Sequence, residues 1–205
     1  MTRFILVRHG QTEWNRVERF RGRADVPLNE TGLAQARATG DRVAAEWHPA
    51  AVYSSPLSRS MKTAEAIARH FGLSAMGAAG LADIDYGQWQ GLTPDQAREQ
   101  WPEEVHAWYT APHTAEIPGG ESLQDLRDRA MRLVTECAER HPGDEVVLVG
   151  HTVVNRIILL GVLGLANDRF WQLRQEPCAV NVFEHDGTDF VLCSMNDTCH
   201  LRGIA

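Results

Sequence analysis

The four cysteines, Cys137, Cys178, Cys193 and Cys199, contain no Cys-x-x-Cys pair, so neither a zinc ribbon nor a thioredoxin-type motif is supported. Buried or inert thiols in a reducing cytosol are expected instead, and Cys199-His200 lacks the partners a metal site would need. The chain also lacks a basic excess. Its formal net charge is −7, and affinity for a phosphate backbone comes from clustered Lys and Arg, so no nucleic-acid partner is expected. Long apolar runs are scarce. Arg8 interrupts the first after Phe4–Val7, short of the roughly seven residues at the centre of a signal peptide, which makes a cytoplasmic location the expectation. Val146 to Ala166 superficially resembles a membrane span, but His151, Asn155 and Arg156 fall near its middle. One such arginine costs roughly 2.5–3.5 kcal/mol on insertion scales, so strand-turn-helix is the better reading and no membrane partner is expected. Repeats, Ser/Gly linkers and low-complexity tracts are missing as well. With 43% hydrophobic and 23% charged residues in 205, the composition is that of one globular domain with a real core.

What is present begins with Phe4-Ile5-Leu6-Val7, which breaks into Arg8-His9-Gly10-Gln11-Thr12-Glu13-Trp14-Asn15. Four apolar residues bounded by a glycine fit a strand buried on both faces, and an open parallel sheet places its ligand just past such a strand's C-terminal end. Leu33, Ala36, Val43, Ala44 and Trp47 recur at helical spacing and stop before Pro49. Ala51-Val52-Tyr53 reads as a second short strand, followed by a helix with Ser55 as N-cap and Pro56 at its first position. From about 72 to 120 the chain is less periodic and rich in Gly, Pro and Trp. It reads as a helical insertion over the sheet and the active site, a candidate lid. Ser122 and Asp125 open an amphipathic helix that His141-Pro142-Gly143 stops. Glu145–Val149 is another buried strand, ending in Gly150-His151-Thr152 and an apolar helix. Val180–His185 and Phe190–Ser194 flank Asp186-Gly187, which favours a type I′ hairpin. The expected architecture is a three-layer α/β/α single domain, with a mainly parallel sheet and an antiparallel edge hairpin. That apolar hairpin leaves a homodimer open.

Chemistry concentrates at the two histidine turns. Arg8 adjoins His9, and Arg59 falls in the first turn of a helix, where backbone N–H groups and the dipole also favour an anion. Two guanidiniums can each hold phosphoryl oxygens in bidentate fashion. An imidazole attacks phosphorus when one ring nitrogen is unprotonated and the other donates to a fixed acceptor. His9 is the candidate nucleophile. Gly10 permits a tight turn and close approach to the ligand, and Asn15 can offer an amide N–H to a phosphate oxygen. His151, with Thr152 beside it, can meet the same phosphate from the opposite side.

Leu6-Val7-Arg8-His9-Gly10-Gln11-Thr12-Glu13-Trp14-Asn15, Gly22-Arg23-Ala24-Asp25-Val26-Pro27-Leu28-Asn29, Ser54-Ser55-Pro56-Leu57-Ser58-Arg59 with Thr63-Ala64, and Val149-Gly150-His151 together resemble the histidine phosphatase superfamily, the phosphoglycerate-mutase-like proteins. The resemblance implies that His9 is phosphorylated and that Arg8, Arg59 and His151 form the phosphate pocket with Asn15. It also implies that Arg21 and Gly22 lie along the substrate entrance and that neither metal nor other cofactor is needed. Where the family usually has a glutamate proton donor, Leu81-Ala82-Asp83-Ile84-Asp85-Tyr86-Gly87 carries Asp83, one methylene shorter. Beside a phosphate dianion its pKa should rise, which keeps it protonated for the leaving alkoxide.

The partner implied is a small phosphorylated metabolite. Mutases of this family commonly carry a longer basic insertion, whereas Leu92–Pro118 here has one Arg, no Lys and the acidic Asp95, Glu99, Glu103, Glu104 and Glu116. The ending, Leu192 to Leu201, resembles the phosphatase branch that contains broad-specificity enzymes and α-ribazole phosphatases. Metal-independent phosphomonoester hydrolysis through phosphohistidine is the leading reading. A cofactor-dependent phosphoglycerate mutase and a catalytically weak phosphoryl-binding regulatory module are the alternatives. Tyr86, Trp89, Trp108 and Tyr109 are candidates for an aromatic wall.

Overall fold

In the computed structural model, which describes residues 1–17 and 19–204, the first apolar run forms the centre of strand β1 (Thr2–Arg8). In chain order follow α1 (Glu13–Arg16), α2 (Glu30–Glu46), β2 (Ala51–Ser54), α3 (Ser58–Ala68), β3 (Ala75–Gly77), α4 (Pro94–Gln100) and α5 (Pro102–Thr110). Then come α6 (Leu123–Arg140), β4 (Glu145–Gly150), α7 (Thr152–Val162), β5 (Val180–His185) and β6 (Phe190–Asp197). They build one α/β domain around a six-stranded sheet of order β3-β2-β4-β1-β5-β6. The first four strands in that order are parallel, and β5 and β6 form the antiparallel edge.

Successive residues of a strand face opposite sides of a sheet, so each buried strand feeds two cores. Phe4 and Leu6 of β1 and Val146 and Leu148 of β4 pack with Leu126, Ala130 and Val134 of α6 and Ile157 and Leu160 of α7. Ile5, Val7, Val147 and Val149 pack with Val43 of α2 and Ala64 and Ile67 of α3. Three layers result. Helix α6 opens as its sequence predicts: Ser122 Oγ accepts the Asp125 N–H (3.1 Å), and Asp125 Oδ2 accepts the Ser122 N–H (3.2 Å). Such caps contribute about 0.5–2 kcal/mol. The apolar stretch from Val146 is divided between β4 and α7, and no helix among the described residues is long and apolar enough to cross a membrane.

Three local expectations are corrected. Within the stretch read as an insertion of short helices, Ala75–Gly77 adds edge strand β3, whose three residues are too few to show a period. Helix α3 starts at Ser58 behind Leu57, not behind Ser55. Its end is capped from a distance: Asp25 Oδ1 accepts both the Ser58 N–H (2.8 Å) and the Ser58 hydroxyl (2.7 Å). The β5–β6 connection spans Asp186 to Asp189 rather than two residues. A type I′ turn needs positive φ at both central residues. Here Gly187 alone of the pair adopts it (109°), because Asp186 Oδ1 instead accepts the N–H groups of Thr188 and Asp189, each at 2.9 Å.

Candidate active site

The parallel register of β1 and β4 places Arg8 opposite Gly150, so the next residue of each strand, His9 and His151, emerges at the same C-terminal edge. The His9 N–H donates to Gly150 O (3.0 Å), and the two rings meet edge to face with centroids 5.0 Å apart. Both side chains are buried. Nδ1 of His9 lies 2.6 Å from Gly10 O, which fixes that nitrogen as the N–H and leaves Nε2 with its lone pair. Burial is the main cause that drives the His9 pKa well below its ordinary value, with His151, Arg59, Arg8 and Arg21 adding to it. A neutral imidazole is the result.

Gly10 serves packing as well. A Cβ there would stand 2.5 Å from Gly32 O, so the glycine admits the start of α2 against the histidine loop. The Gly10 N–H also donates to Thr63 Oγ1 (3.2 Å), which ties the loop to α3.

His151 is held from both sides. Arg59 Nε donates to Nδ1 (3.2 Å), and Nε2 contacts Ser55 Oγ at 2.7 Å and Ser60 Oγ at 3.3 Å. Ser55 is thus engaged with the histidine, which is why it does not cap α3. Burial, then Arg59, Arg21 and Arg8, lower the His151 pKa well below its ordinary value.

Arg59 also holds the protein around it. Its Nη1 donates to Ala24 O (2.6 Å) and its Nη2 to Gly22 O (2.8 Å), so most of its donors clamp the entrance loop. Gly22 contributes that carbonyl to the clamp. It sits at φ 48°, and a Cβ there would meet Ile84 O at 2.8 Å. Arg8 is freer. Its Nη1 donates to Gln175 O, while its buried Nε has no partner among the described residues. Burial and the neighbouring Arg21 lower its pKa to about 9, so it stays cationic at neutral pH. Gln175 is itself braced by a reciprocal amide pair with Asn181 (2.8 and 2.9 Å), and Asn181 donates to Leu6 O in β1 (2.9 Å).

Asp83 completes the group. Its Oδ2 lies 3.8 Å from Arg59 Nη2 and 3.9 Å from His151 Nδ1, and its Oδ1 accepts the Ile84 N–H (3.1 Å). Burial pushes its pKa upward even without a bound anion, against the opposing pull of Arg59 and Arg21. Its segment is gripped from α6. Arg129 Nη1 donates to Gly80 O (3.0 Å) and Ala82 O (2.8 Å), and Nη2 to Asp83 O (3.0 Å). Glu121 holds the same guanidinium at 2.6 and 2.8 Å.

Above these groups opens a cavity of about 390 Å³, lined by Arg8, Asn15, Arg21, Asp83 and Thr152 among others. Asn15 Oδ1 accepts the Thr12 N–H and hydroxyl (both 2.9 Å), so the amide NH₂ is the end left to donate. Thr152 Oγ1 and Arg21 Nε are buried without partners among the described residues. Tyr86, Trp108 and Tyr109 do line the cavity, but Trp89 is buried beside Phe20 and Trp108 and does not reach it. Sequence reasoning missed Phe20, Arg156, Phe170, Trp171 and Glu176. Arg156 alone carried a usable signal, as an ionised residue one helical turn after Thr152 on an otherwise apolar helix.

Cys137 and Cys178 are buried, whereas Cys193 and Cys199 are exposed; all four are free. Cys199 Sγ accepts from Arg42 and His200 Nε2 pairs with Thr39 Oγ1, which fastens the C-terminal segment to α2. Among the described residues no group of three or more His, Cys, Asp or Glu is arranged to hold a metal ion.

The chain is similar to known proteins over nearly its whole length. A phosphoserine phosphatase 1 from Hydrogenobacter thermophilus is 35% identical over 201 residues, covering 98% of this chain and 95% of that protein. A metal-independent phosphoserine phosphatase of Arabidopsis thaliana is 34% identical over 206 residues, covering 100% and 85%. The solved structure of Bacillus stearothermophilus YhfR superposes with a TM-score of 0.93 at 31% identity, covering 98% of this chain and 100% of that one. The family model of the histidine phosphatase superfamily (branch 1) matches residues 4–198, and with the two histidine turns in place the chain belongs to that superfamily as one of its phosphatases.

Proposed function

We propose that the protein hydrolyses small phosphomonoesters through a phosphohistidine at His9, without a metal, and that compact carboxylated esters such as phosphoserine are its best substrates. The observation that carries the mechanism is the His9 Nδ1 contact to Gly10 O at 2.6 Å, which leaves Nε2 as a neutral, buried nucleophile beside cationic Arg8. Nε2 attacks phosphorus and the ester P–O bond breaks, while Arg8, Asn15, Arg21 and Thr152 meet charge on the phosphoryl oxygens. Asp83, whose pKa burial pushes upward, gives its proton to the departing alkoxide. Its carboxylate then takes a proton from water, whose oxygen attacks phosphorus. The P–N bond breaks, and inorganic phosphate and neutral His9 are regenerated.

The names of the two relatives support phosphoserine as the first substrate to try. The likeness of residues 192–201 to the phosphatase branch that contains broad-specificity enzymes and α-ribazole phosphatases makes α-ribazole phosphate the second. The test is phosphate release from phosphoserine, 3-phosphoglycerate, α-ribazole phosphate and p-nitrophenyl phosphate in chelator, with acid-quenched protein assayed for a phosphate label. Turnover with a label that His9→Ala abolishes is expected. Isomerisation of 3-phosphoglycerate that depends on 2,3-bisphosphoglycerate would replace this reading with a mutase. Phosphate binding without turnover would replace it with a binding module.

A further inference from the structure

The cavity wall formed by α7 and the segment after it carries a charge to which the phosphoryl-transfer steps assign no role. Arg156 projects from α7 with its guanidinium carbon 5.1 Å from the ring centres of both Phe170 and Trp171. It lines the same cavity as Arg8 and Thr152. Its Nε is buried, and the side chain has no hydrogen-bond or ion-pair partner among the described residues. Arg3, Arg42 and Arg129, in contrast, are each ion-paired. Packing on aromatic faces orients the planar fork without consuming its N–H donors. A desolvated donor left unpaired costs stability, which makes sense where a ligand supplies the acceptor.

The neighbouring charges indicate which acceptor. Glu176 lines the cavity and stands within electrostatic reach of both Arg8 and Arg156. A second phosphate dianion beside Arg156 would be repelled by that carboxylate. A planar, singly charged carboxylate carries less charge and fits a guanidinium fork through two parallel hydrogen bonds. Arg174, also on the lining, is exposed, so its solvated head group gives up less on binding nothing.

We propose that Arg156 is a specificity-determining residue that binds the carboxylate of the substrate, so that the preferred ligands carry a phosphoryl group and a carboxylate on one short carbon skeleton. This deepens the proposed reading of the cavity as a phosphomonoester site and rests on it. The test is calorimetric binding to His9→Ala, with and without Arg156→Gln, so that turnover plays no part. The ligands are matched pairs, phosphoserine against phosphoethanolamine and 3-phosphoglycerate against glycerol phosphate, with inorganic phosphate as reference.

Arg156→Gln should weaken the two carboxylated ligands by about tenfold to a hundredfold and leave the other three within about twofold. Equal weakening of all five, or of none, overturns the proposal. If Arg156→Gln does not fold, Arg156→Lys answers instead: it keeps the charge and stem but lacks the fork, and a loss of several-fold confined to the carboxylated ligands is expected. If inorganic phosphate and phosphoethanolamine bind but a carboxylate adds nothing, this proposal alone fails. If no ligand binds, the phosphomonoester reading itself fails, and the proposal with it.

Discussion

His9 and His151 each follow the last residue of a parallel strand, in register through Arg8 and Gly150, yet their rings receive opposite treatment. His9 is anchored through Nδ1 alone, and its Nε2 has no hydrogen-bond partner among the described residues. His151 is engaged through both nitrogens, by Arg59 on one side and Ser55 and Ser60 on the other. Strand register alone therefore decides where an imidazole stands, and the surrounding donors and acceptors decide whether it can form a bond to phosphorus.

The contrast breaks most completely at His9. His9→Ala should lower kcat by a factor on the order of a millionfold, as removal of covalent nucleophiles does elsewhere, and abolish the phosphoenzyme label. His151→Asn should leave the label chemically possible but slow its formation by about a hundredfold to a thousandfold; a label that forms at the normal rate would dissolve the distinction. Asp83→Asn should cost about a hundredfold to ten-thousandfold on alkyl esters and far less on p-nitrophenyl phosphate, whose leaving group barely needs a proton. Equal losses on both substrates would assign proton donation elsewhere.

Smaller still is the effect of Ser55→Ala. It removes one hydrogen bond from His151 and should slow turnover by a few-fold to about tenfold without loss of stable folding.

Titration sharpens the comparison in another direction. Both histidines have folded pKa values depressed below the unfolded value of about 6.5, so between the two values the unfolded chain binds more protons. Their contribution to stability is complete above about pH 6.5 and is lost as the pH falls. Asp83 has the opposite sign. Its folded pKa is raised, so its contribution declines as pH climbs from the unfolded value near 3.9 through the folded one. Melting curves of His9→Ala and His151→Asn should show a shallower fall in Tm below pH 6.5 than the parent. An unchanged slope in both would mean that other groups set the acid limit.

What could be read from the chain was whatever is written locally. Buried runs ending in Arg8-His9 and Gly150-His151 marked the strand ends, and Ser122-x-x-Asp125 marked a helix start, because those features lie within a few residues of one another. The misreadings share a cause. Asp25 replaces Ser55 as the cap of α3 across 33 residues, and the carbonyls that Arg59 holds in the entrance loop lie 35 and 37 residues away. Phe170, Trp171 and Glu176 belong to an aperiodic segment, and only the packing of α7 against it reveals that they face the cavity. The likeness to a family supplied Asp83 and Arg21, which no periodicity would have singled out.

The Arg129 grip has a consequence for how freely this site can change. It holds the proton-donor segment through main-chain oxygens of Gly80, Ala82 and Asp83, while Leu81 seats it in the core, so the side chains of Ala79 and Ala82 are not what fixes its position. A randomised library at exposed Ala79 and partly exposed Ala82 should retain hydrolysis in most members, whereas position 129 should accept little but arginine. Gly80 is the exception, since a Cβ there would stand 2.8 Å from Leu133 Cβ. Anchoring by backbone thus separates mutational tolerance from catalytic geometry, and lets the sequence around the donor carboxyl drift while the carboxyl stays where it is.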